Sequence, residues 1–251
     1  MDLDAFFKEE GIFEYAIVRF EDLPDADRSG PLHLIPSACS VIVFGTQIPA
    51  PVYEAPLKEK TQKMLRIAES LDLTAVRLAG HLNAEQFRSA IVPLFLPLQV
   101  ESGRVQGIVR LKRIAALGGL GTIGRSTLLI SPRHGTRLAL SGVVTEMDAG
   151  LSKTPLAVDF CRNCGRCVRS CPGGAISADG VNVFRCRNIS PWIPAPLVPA
   201  ATWLLGHQSL QRLAAPFAPR IARHATMRCS LCVTVCPCFH EGEDAKKPTR
   251  T

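Results

Sequence analysis

The chain reads as an α/β domain over residues 1–155 followed by a small ferredoxin-like unit over residues 156–242, and three observations predict this. Apolar segments of strand and helix character alternate through the first part. After Pro155 that grammar gives way to short turns rich in Cys, Pro and Gly, as at 171–174. Within those turns Cys161, Cys164, Cys167 and Cys171 stand at C-x2-C-x2-C-x3-C with Pro172 directly behind. That is the ligand run of bacterial ferredoxins.

The elements follow in order. Residues 3–10 suit a short helix, Gly11 ends it, and 15–20 suit a strand. The run S-V-I-V-F at 40–44 is short and continuously apolar, as a strand buried on both faces would be. Residues 55–71 place Leu57, Met64, Leu65, Ile67, Ala68 and Leu71 at the spacing of an amphipathic helix. A further helix is expected over 84–93 with Asn83 as its cap, another over 107–117, and a strand over 137–146. In the second part a helix is expected over 163–170 and a weak strand over 181–184. An insert at 187–228, rich in Pro, Ala and Arg, separates Cys186 from Cys229, with one amphipathic helix expected at 201–213. The charged tail, 243–251, reads as disordered.

The first cysteine run predicts its own complement. Three thiolates in one loop cap three irons of a 4Fe–4S cube, and the fourth points away to another cube. Cys229, Cys232 and Cys236 supply a second group, C-x2-C-x3-C followed by Pro237. By the crossover rule one cluster takes Cys161, Cys164, Cys167 and Cys236. The other takes Cys171, Cys229, Cys232 and, by elimination, Cys186, with Cys238 as the rival for that last place. Cys39, in an apolar stretch, reads as a buried structural thiol. A zinc site would pair two C-x2-C knuckles instead. Disulfides would need an oxidising compartment, and the acidic start Met1-Asp2-Leu3-Asp4 does not resemble a secretory signal.

Composition sets further bounds. Hydrophobic residues make up 47% of the chain, enough for a real core, and the formal charge is +7. Two oxidised clusters would each add about −2 and bring the holoprotein nearer about +3. Contact with an acidic partner is permitted and not demanded. The most apolar stretch, 193–206, is short and carries Pro194, Pro196 and Pro199, so no membrane span is expected. The expected compartment is the cytoplasm.

Gly119-Leu120-Gly121-Thr122-Ile123-Gly124 matches the dinucleotide fingerprint in letters only. That fingerprint follows a strand and opens a helix. Here the preceding residues are helical in pattern and the following ones, 127–131, are strand-like, so the context is inverted. The glycines suit a tight turn, or close approach of backbone to something flat and large.

Taken together, L-G-G-L-G-T-I-G-R-S-T-L-L-I-S-P-R-H-G (117–135), a strand ending at Thr145-Glu146, the C-x2-C-x2-C-x3-C-P run, F-R-C-R (184–187) and C-x3-C-P resemble the epoxyqueuosine reductase family, whose wider kin are the reductive dehalogenases. The resemblance runs through 10–240 and is densest over 117–190. It implies a nitroreductase-like α/β domain, two 4Fe–4S clusters and a cobalamin, with Gly119, Gly121, Thr122, Gly124, Arg125 and Ser126 beside the corrin. It also implies electron flow through the clusters to cobalt, a flavodoxin or ferredoxin as donor, and a tRNA or a corrinoid protein as partner. Three departures stand out. The family's acidic proton donor lies in a V-D-S-x-P-x-x-E stretch about sixteen residues before Gly121, where this chain has Val105. The Arg-Asp-Tyr-His stretch expected near 53–60 is not recognisable. The helical-repeat domain that ends the tRNA-acting members has no counterpart in these 251 residues.

Among other candidates, Tyr53 could donate a proton to a reduced substrate. Tyr15 reads as core, Arg133 and His134 as a solvated turn, and His240 as surface. Arg212, Arg220, Arg223 and Arg228 read as a solvated row able to touch phosphate. Three functions follow: an iron–sulfur oxidoreductase working through a corrinoid, a non-enzymatic electron carrier or corrinoid-protein activator, and a cobalamin-binding module without reductase activity.

Overall fold

The computed structural model describes residues 2–101, 104–148, 150, 155–178, 180–218, 220 and 226–240. The expected tail and Arg223 lie outside the described residues. Helix α1 (Leu3–Glu9) is capped by Asp2, whose side chain accepts from Ala5 N, and precedes β1 (Glu14–Arg19). Helix α2 (Asp25–Leu34), β2 (Ser40–Gln47), α3 (Ala50–Glu54) and α4 (Leu57–Ala84) follow. Next come β3 (Ser89–Ile91), the hairpin β4 (Leu98–Glu101) and β5 (Arg104–Gly107), and α5 (Leu111–Leu117). A second hairpin, β6 (Thr122–Ile123) and β7 (Leu129–Ile130), leads into β8 (Leu138–Thr145). The remainder holds α6 (Arg166–Arg169), β9 (Ile176–Ser177), β10 (Gly180–Val181), α7 (Val198–Gly206), α8 (Gln208–Ala214) and α9 (Leu231–Thr234).

The main sheet runs β1-β2-β8-β3, with every neighbouring pair antiparallel. Its central strand explains the continuous apolar run. Val41 and Val43 face one core with Ala16, Val18, Ile114 and Val144, while Ile42 and Phe44 face another with Phe7, Leu78, Leu82 and Val143. Alternate residues thus point to opposite faces and both faces are covered. The α/β expectation holds, as a three-layer fold around an antiparallel sheet.

Several expected elements differ. The helix expected over 55–71 continues to Ala84, because Leu71, Ala75, Leu78, Ala79 and Leu82 extend the buried stripe past the point where flanking charges obscure it. No helix occupies 84–93. Asn83 ends α4 instead: its amide donates to Ala79 O and Ser89 O, and its oxygen accepts from Ser89 N. Ser89–Ile91 then pairs with Val143–Thr145 at the sheet edge, a tertiary demand that overrides local helical pattern. In the insert, two helices replace the single one expected, because His207 is extended (φ −101°, ψ 96°). Gln211 fastens this insert to β4 by accepting from Leu98 N (2.6 Å) and donating to Leu98 O (2.8 Å). Among the described residues no helix is long and apolar enough to cross a membrane.

Candidate functional site

The second part of the chain gathers the cysteines into two groups of four. Burial raises the Cys232 thiol to about 11, and after burial the contributors are the neighbouring thiols of Cys186, Cys229 and Cys171. Burial likewise raises Cys167, which then feels Cys161, Cys236 and Cys164. Each thiol disfavours the charge of the next. Cys232 thus has Cys186, Cys229 and Cys171 as neighbours, and Cys167 has Cys161, Cys236 and Cys164, the groupings that the crossover rule expects as ligand sets. Among the described residues no three His, Cys, Asp or Glu side chains close around a single metal ion. None of the ten cysteines is joined in a disulfide.

Local backbone chemistry builds these loops. Gly165 takes φ +68° and turns the first run into α6, whose Arg169 donates back to Cys164 O at 2.9 Å. Asp159 accepts from Cys161 N (2.8 Å) and from Thr122 Oγ1 (3.1 Å), and Thr122 accepts in turn from Phe160 N (3.0 Å). Arg125 reaches Asn163 Oδ1 at 3.3 Å. A Cβ on Gly124 would stand 2.8 Å from Ile130 Cδ1 and 3.7 Å from Cys161 Sγ. The glycine segment is therefore a hairpin that grips the cysteine run, with α5 before it and strand after it, as its inverted context predicts. Gly121 packs against Ile130, where a Cβ would meet the carbonyl at 2.3 Å, and Gly119 supplies a φ of +75°.

Cys186 reaches its quartet through a residue that sequence reasoning missed. Asn188 donates to Cys229 O (2.9 Å) and accepts from Cys229 N (2.8 Å), a two-way clasp between segments forty residues apart. The sequence offered only its position two residues after a cysteine. Asn188→Ala is expected to lower stability by about 1–3 kcal/mol, since both backbone groups lose their partner. Denaturant unfolding measures that loss, and iron should leave the second quartet first. Helix α4 supports the same region: Lys60 Nζ reaches Ser230 Oγ at 3.5 Å and Thr61 Oγ1 accepts from Met227 N at 2.8 Å.

Cys171, Cys186, Cys229 and Cys232 open onto a cavity of about 1170 Å³ between the sheet domain and the cysteine unit. Gly121, Thr122 and Ser126 of the hairpin line it, as do Val105 and Gln106 of β5. Pockets for drug-sized ligands span about 300–1,000 Å³, so this one suits a larger ligand. Lys112 projects into it, donating to Thr127 O at 3.3 Å; desolvation lowers its ammonium and the nearby Cys232 opposes that shift. Among the described lining residues Asp27 is the single carboxylate. It is buried on the wall between Arg113 (2.9 Å) and Arg110 (3.4 Å). The other quartet, Cys161, Cys164, Cys167 and Cys236, faces a separate shallow opening with Gly124, Arg125 and Ser126.

The remaining candidates lie elsewhere. Tyr53 packs edge-on against Phe239 at 5.3 Å, outside the cavity lining, and burial raises its phenol to about 12. Tyr15 is core, stacked on Phe7 at 4.4 Å with its hydroxyl on Asp4. Arg133 and His134 both approach Glu14 at 3.4 Å. Arg212 meets His33 at 2.9 Å. Cys39, expected to be buried, is exposed: the strand it precedes begins one residue later.

Residues 157–177 match the 4Fe-4S binding domain model. An epoxyqueuosine reductase of Listeria monocytogenes is 27% identical over 145 residues, covering 56% of this chain and 37% of that protein. One from Lactococcus garvieae is 39% identical over 75 residues, 29% of this chain and 20% of the other. The chain thus spans less than half of the curated relatives it matches. The solved epoxyqueuosine reductase of Streptococcus thermophilus aligns over 96% of this chain and 67% of its own, with TM-score 0.58 and 17% identity. A catabolic reductive dehalogenase aligns over 88% and 34%, with TM-score 0.51 and 14% identity. In sequence over its matched part this chain is similar to the epoxyqueuosine reductases, in fold it is similar to them over nearly all of its length, and it carries a match to the 4Fe-4S binding domain.

Proposed function

We propose that the protein is an iron–sulfur oxidoreductase that passes electrons through two 4Fe–4S clusters to a cobalamin held between residues 1–155 and 156–242. The observation that carries this reading is the opening of one complete cysteine quartet onto a cavity too large for an ordinary small ligand. Cys161, Cys164, Cys167 and Cys236 would hold one cluster, and Cys171, Cys186, Cys229 and Cys232 the other. The donor set fits: eight thiols in two convergent groups, with Ala175 N donating to Cys171 Sγ at 3.2 Å as backbone amides do to cluster sulfurs. The cavity fits a corrinoid in size, and Gly121, Thr122 and Ser126 would lie along one side of it. When bound, the corrinoid supplies the low-potential chemistry, and the protein supplies position and electrostatics.

This chain's residues do the rest. The hairpin fixes the distance between cavity and cysteine run through Thr122 and Arg125. Asp27 holds Arg110 and Arg113 along the cavity wall. The apolar residues Val109, Leu117 and Leu140 exclude water from the remainder. An epoxyqueuosine reductase has been solved with an epoxyqueuosine-modified tRNA stem loop, and by that likeness tRNA is the first substrate to assay. Val105 lines the cavity at the position expected for the family's acid. That favours a second reading, an electron carrier or corrinoid-protein activator that needs no proton donor.

Anaerobic purification followed by iron, sulfide and cobalt analysis tests the proposal. About eight irons per chain, with a visible spectrum that changes on stoichiometric addition of cobalamin, is the expected result. About eight irons and no response to cobalamin would leave the carrier.

A further inference from the structure

The insert between Cys186 and Cys229 turns apolar side chains outward. Helix α7 packs on β4 with Ala201, Thr202 and Leu205 half-buried, while Ala200, Trp203 and Leu204, at i, i+3 and i+4, are exposed on its opposite face. A surface helix ordinarily carries polar residues on that face. Trp203 is 61% exposed, and its ring rests on His207 at 4.2 Å, where His207 Nδ1 meets Trp203 O at 2.7 Å. In the same insert Trp192, Leu197, Leu213 and Phe217 are each more than half exposed. Large apolar residues exposed singly are ordinary, but six of them between residues 192 and 217 are not. The charge of the insert is equally one-sided. Residues 187–228 hold five arginines and two histidines, and no Asp, Glu or Lys. Arg187 lines the cavity, and Arg212, Arg220 and Arg228 are exposed. Arg212 meets His33 at 2.9 Å and Arg228 meets Thr226 Oγ1 at 3.4 Å, neither of them a carboxylate. The acids of α2, beside His33, are engaged elsewhere: Asp25 by Arg28 and Asp27 by Arg110 and Arg113.

We propose that this insert docks the protein on the surface of an anionic lipid bilayer, with Trp203 and Leu204 entering the headgroup boundary and the arginines meeting lipid phosphates. Exposed tryptophan and leucine beside arginine, without a carboxylate, is the chemistry of a segment that lies in the membrane interface. Anionic headgroups attract each arginine held near them. Nucleic acid would also use the arginines and would stack on the tryptophans, but it gains nothing from Leu197, Leu204 and Leu213, whereas a bilayer takes up all three. Helix α7 has nine residues, too few to cross the hydrocarbon core, so the contact is with the surface alone. Gln211 holds the inner side of the insert to Leu98 of β4, so the outward face is presented without unfolding. Neither Trp203 nor Leu204 lines the large cavity or the shallow opening, and docking is therefore independent of any corrinoid.

The test is sedimentation of the full-length, cluster-loaded protein with vesicles of phosphatidylcholine alone, or of phosphatidylcholine with about one-third phosphatidylglycerol. Binding to the anionic vesicles is expected to be about tenfold or more tighter than to the neutral ones. Both tryptophans of the chain lie in the insert, so quenching of their fluorescence by brominated lipid reports on this segment alone. Arg220→Glu should weaken binding to the anionic vesicles about tenfold. Trp203→Ser combined with Leu204→Ser should weaken it by about tenfold or more and remove most of the quenching. All these side chains are exposed, and iron content matching the parent will show that the variants are folded. No retention on the anionic vesicles, or equal retention on both kinds, in the unsubstituted protein overturns the proposal, whatever the variants do. Binding of tRNA without retention on either vesicle also overturns it, and assigns the arginines to RNA phosphate instead.

Discussion

Cys186→Ala is expected to hold about four irons per chain where the unsubstituted protein holds about eight, and Cys238→Ala is expected to keep about eight. Spacing leaves the eighth ligand open between these two residues, since C-P-C places Cys238 close to Cys236, itself an expected ligand. The structure separates them. Cys186 lies with Cys171, Cys229 and Cys232, and Asn188 clasps its segment to Cys229. Cys238 lies with the other quartet, 2% exposed, its sulfur 3.6 Å from Phe160 O. Burial raises the Cys236 thiol and Cys238 beside it opposes that shift, which suits a supporting role beside an expected ligand. Iron and labile sulfide per chain decide the matter. Eight irons in Cys186→Ala with four in Cys238→Ala would reverse the assignment.

Arg137→Met is expected to destabilise the protein by about 3–5 kcal/mol, lowering Tm by roughly 6–20 °C at this chain length. Arg137 is 1% exposed at the start of β8. Its Nε donates to Phe239 O at 2.6 Å, its Nη1 to Ile48 O at 3.4 Å, and its guanidinium lies 5.3 Å over the Phe239 ring. Methionine fills similar space but leaves these carbonyls buried without donors. The loss falls on the seam between the sheet and the segment after Cys236. The same seam admits no side chain at Gly135, where φ is +54° and a Cβ would stand 1.5 Å from Cys238 O. Thermal unfolding of the cluster-loaded protein measures the effect. A loss below about 1 kcal/mol would mean that the seam is held by something other than this arginine.

The chemistry of the cysteine unit was largely legible in the sequence because cluster ligation is local and its spacing is rigid. Seven of the eight expected ligands lie within two short motifs. The buried strands at Ser40–Gln47 and Leu138–Thr145 were legible for a similar reason, as continuous apolar runs. What could not be read depends on partners far along the chain. Ser89–Ile91 is a strand because β8 lies beside it. The β4–β5 hairpin, where the sequence suggests no element, is tied to the insert by Gln211, which bonds Leu98. Asp27 looks like one of several acids in α2, and only folding places it between Arg110 and Arg113 on the cavity wall. The glycine hairpin was legible as a non-nucleotide loop, while its hold on the cysteine run through Thr122 and Arg125 was not.

The central claim is that a two-cluster relay ends at a corrinoid in the large cavity. Electron paramagnetic resonance of the reduced protein loaded with cob(II)alamin tests it most directly. Two cluster spins per chain are expected, together with a cobalt signal broadened and relaxing faster than that of free cobalamin, because the Cys171 quartet opens on the same cavity. A cobalt signal identical to that of free cobalamin would contradict the account.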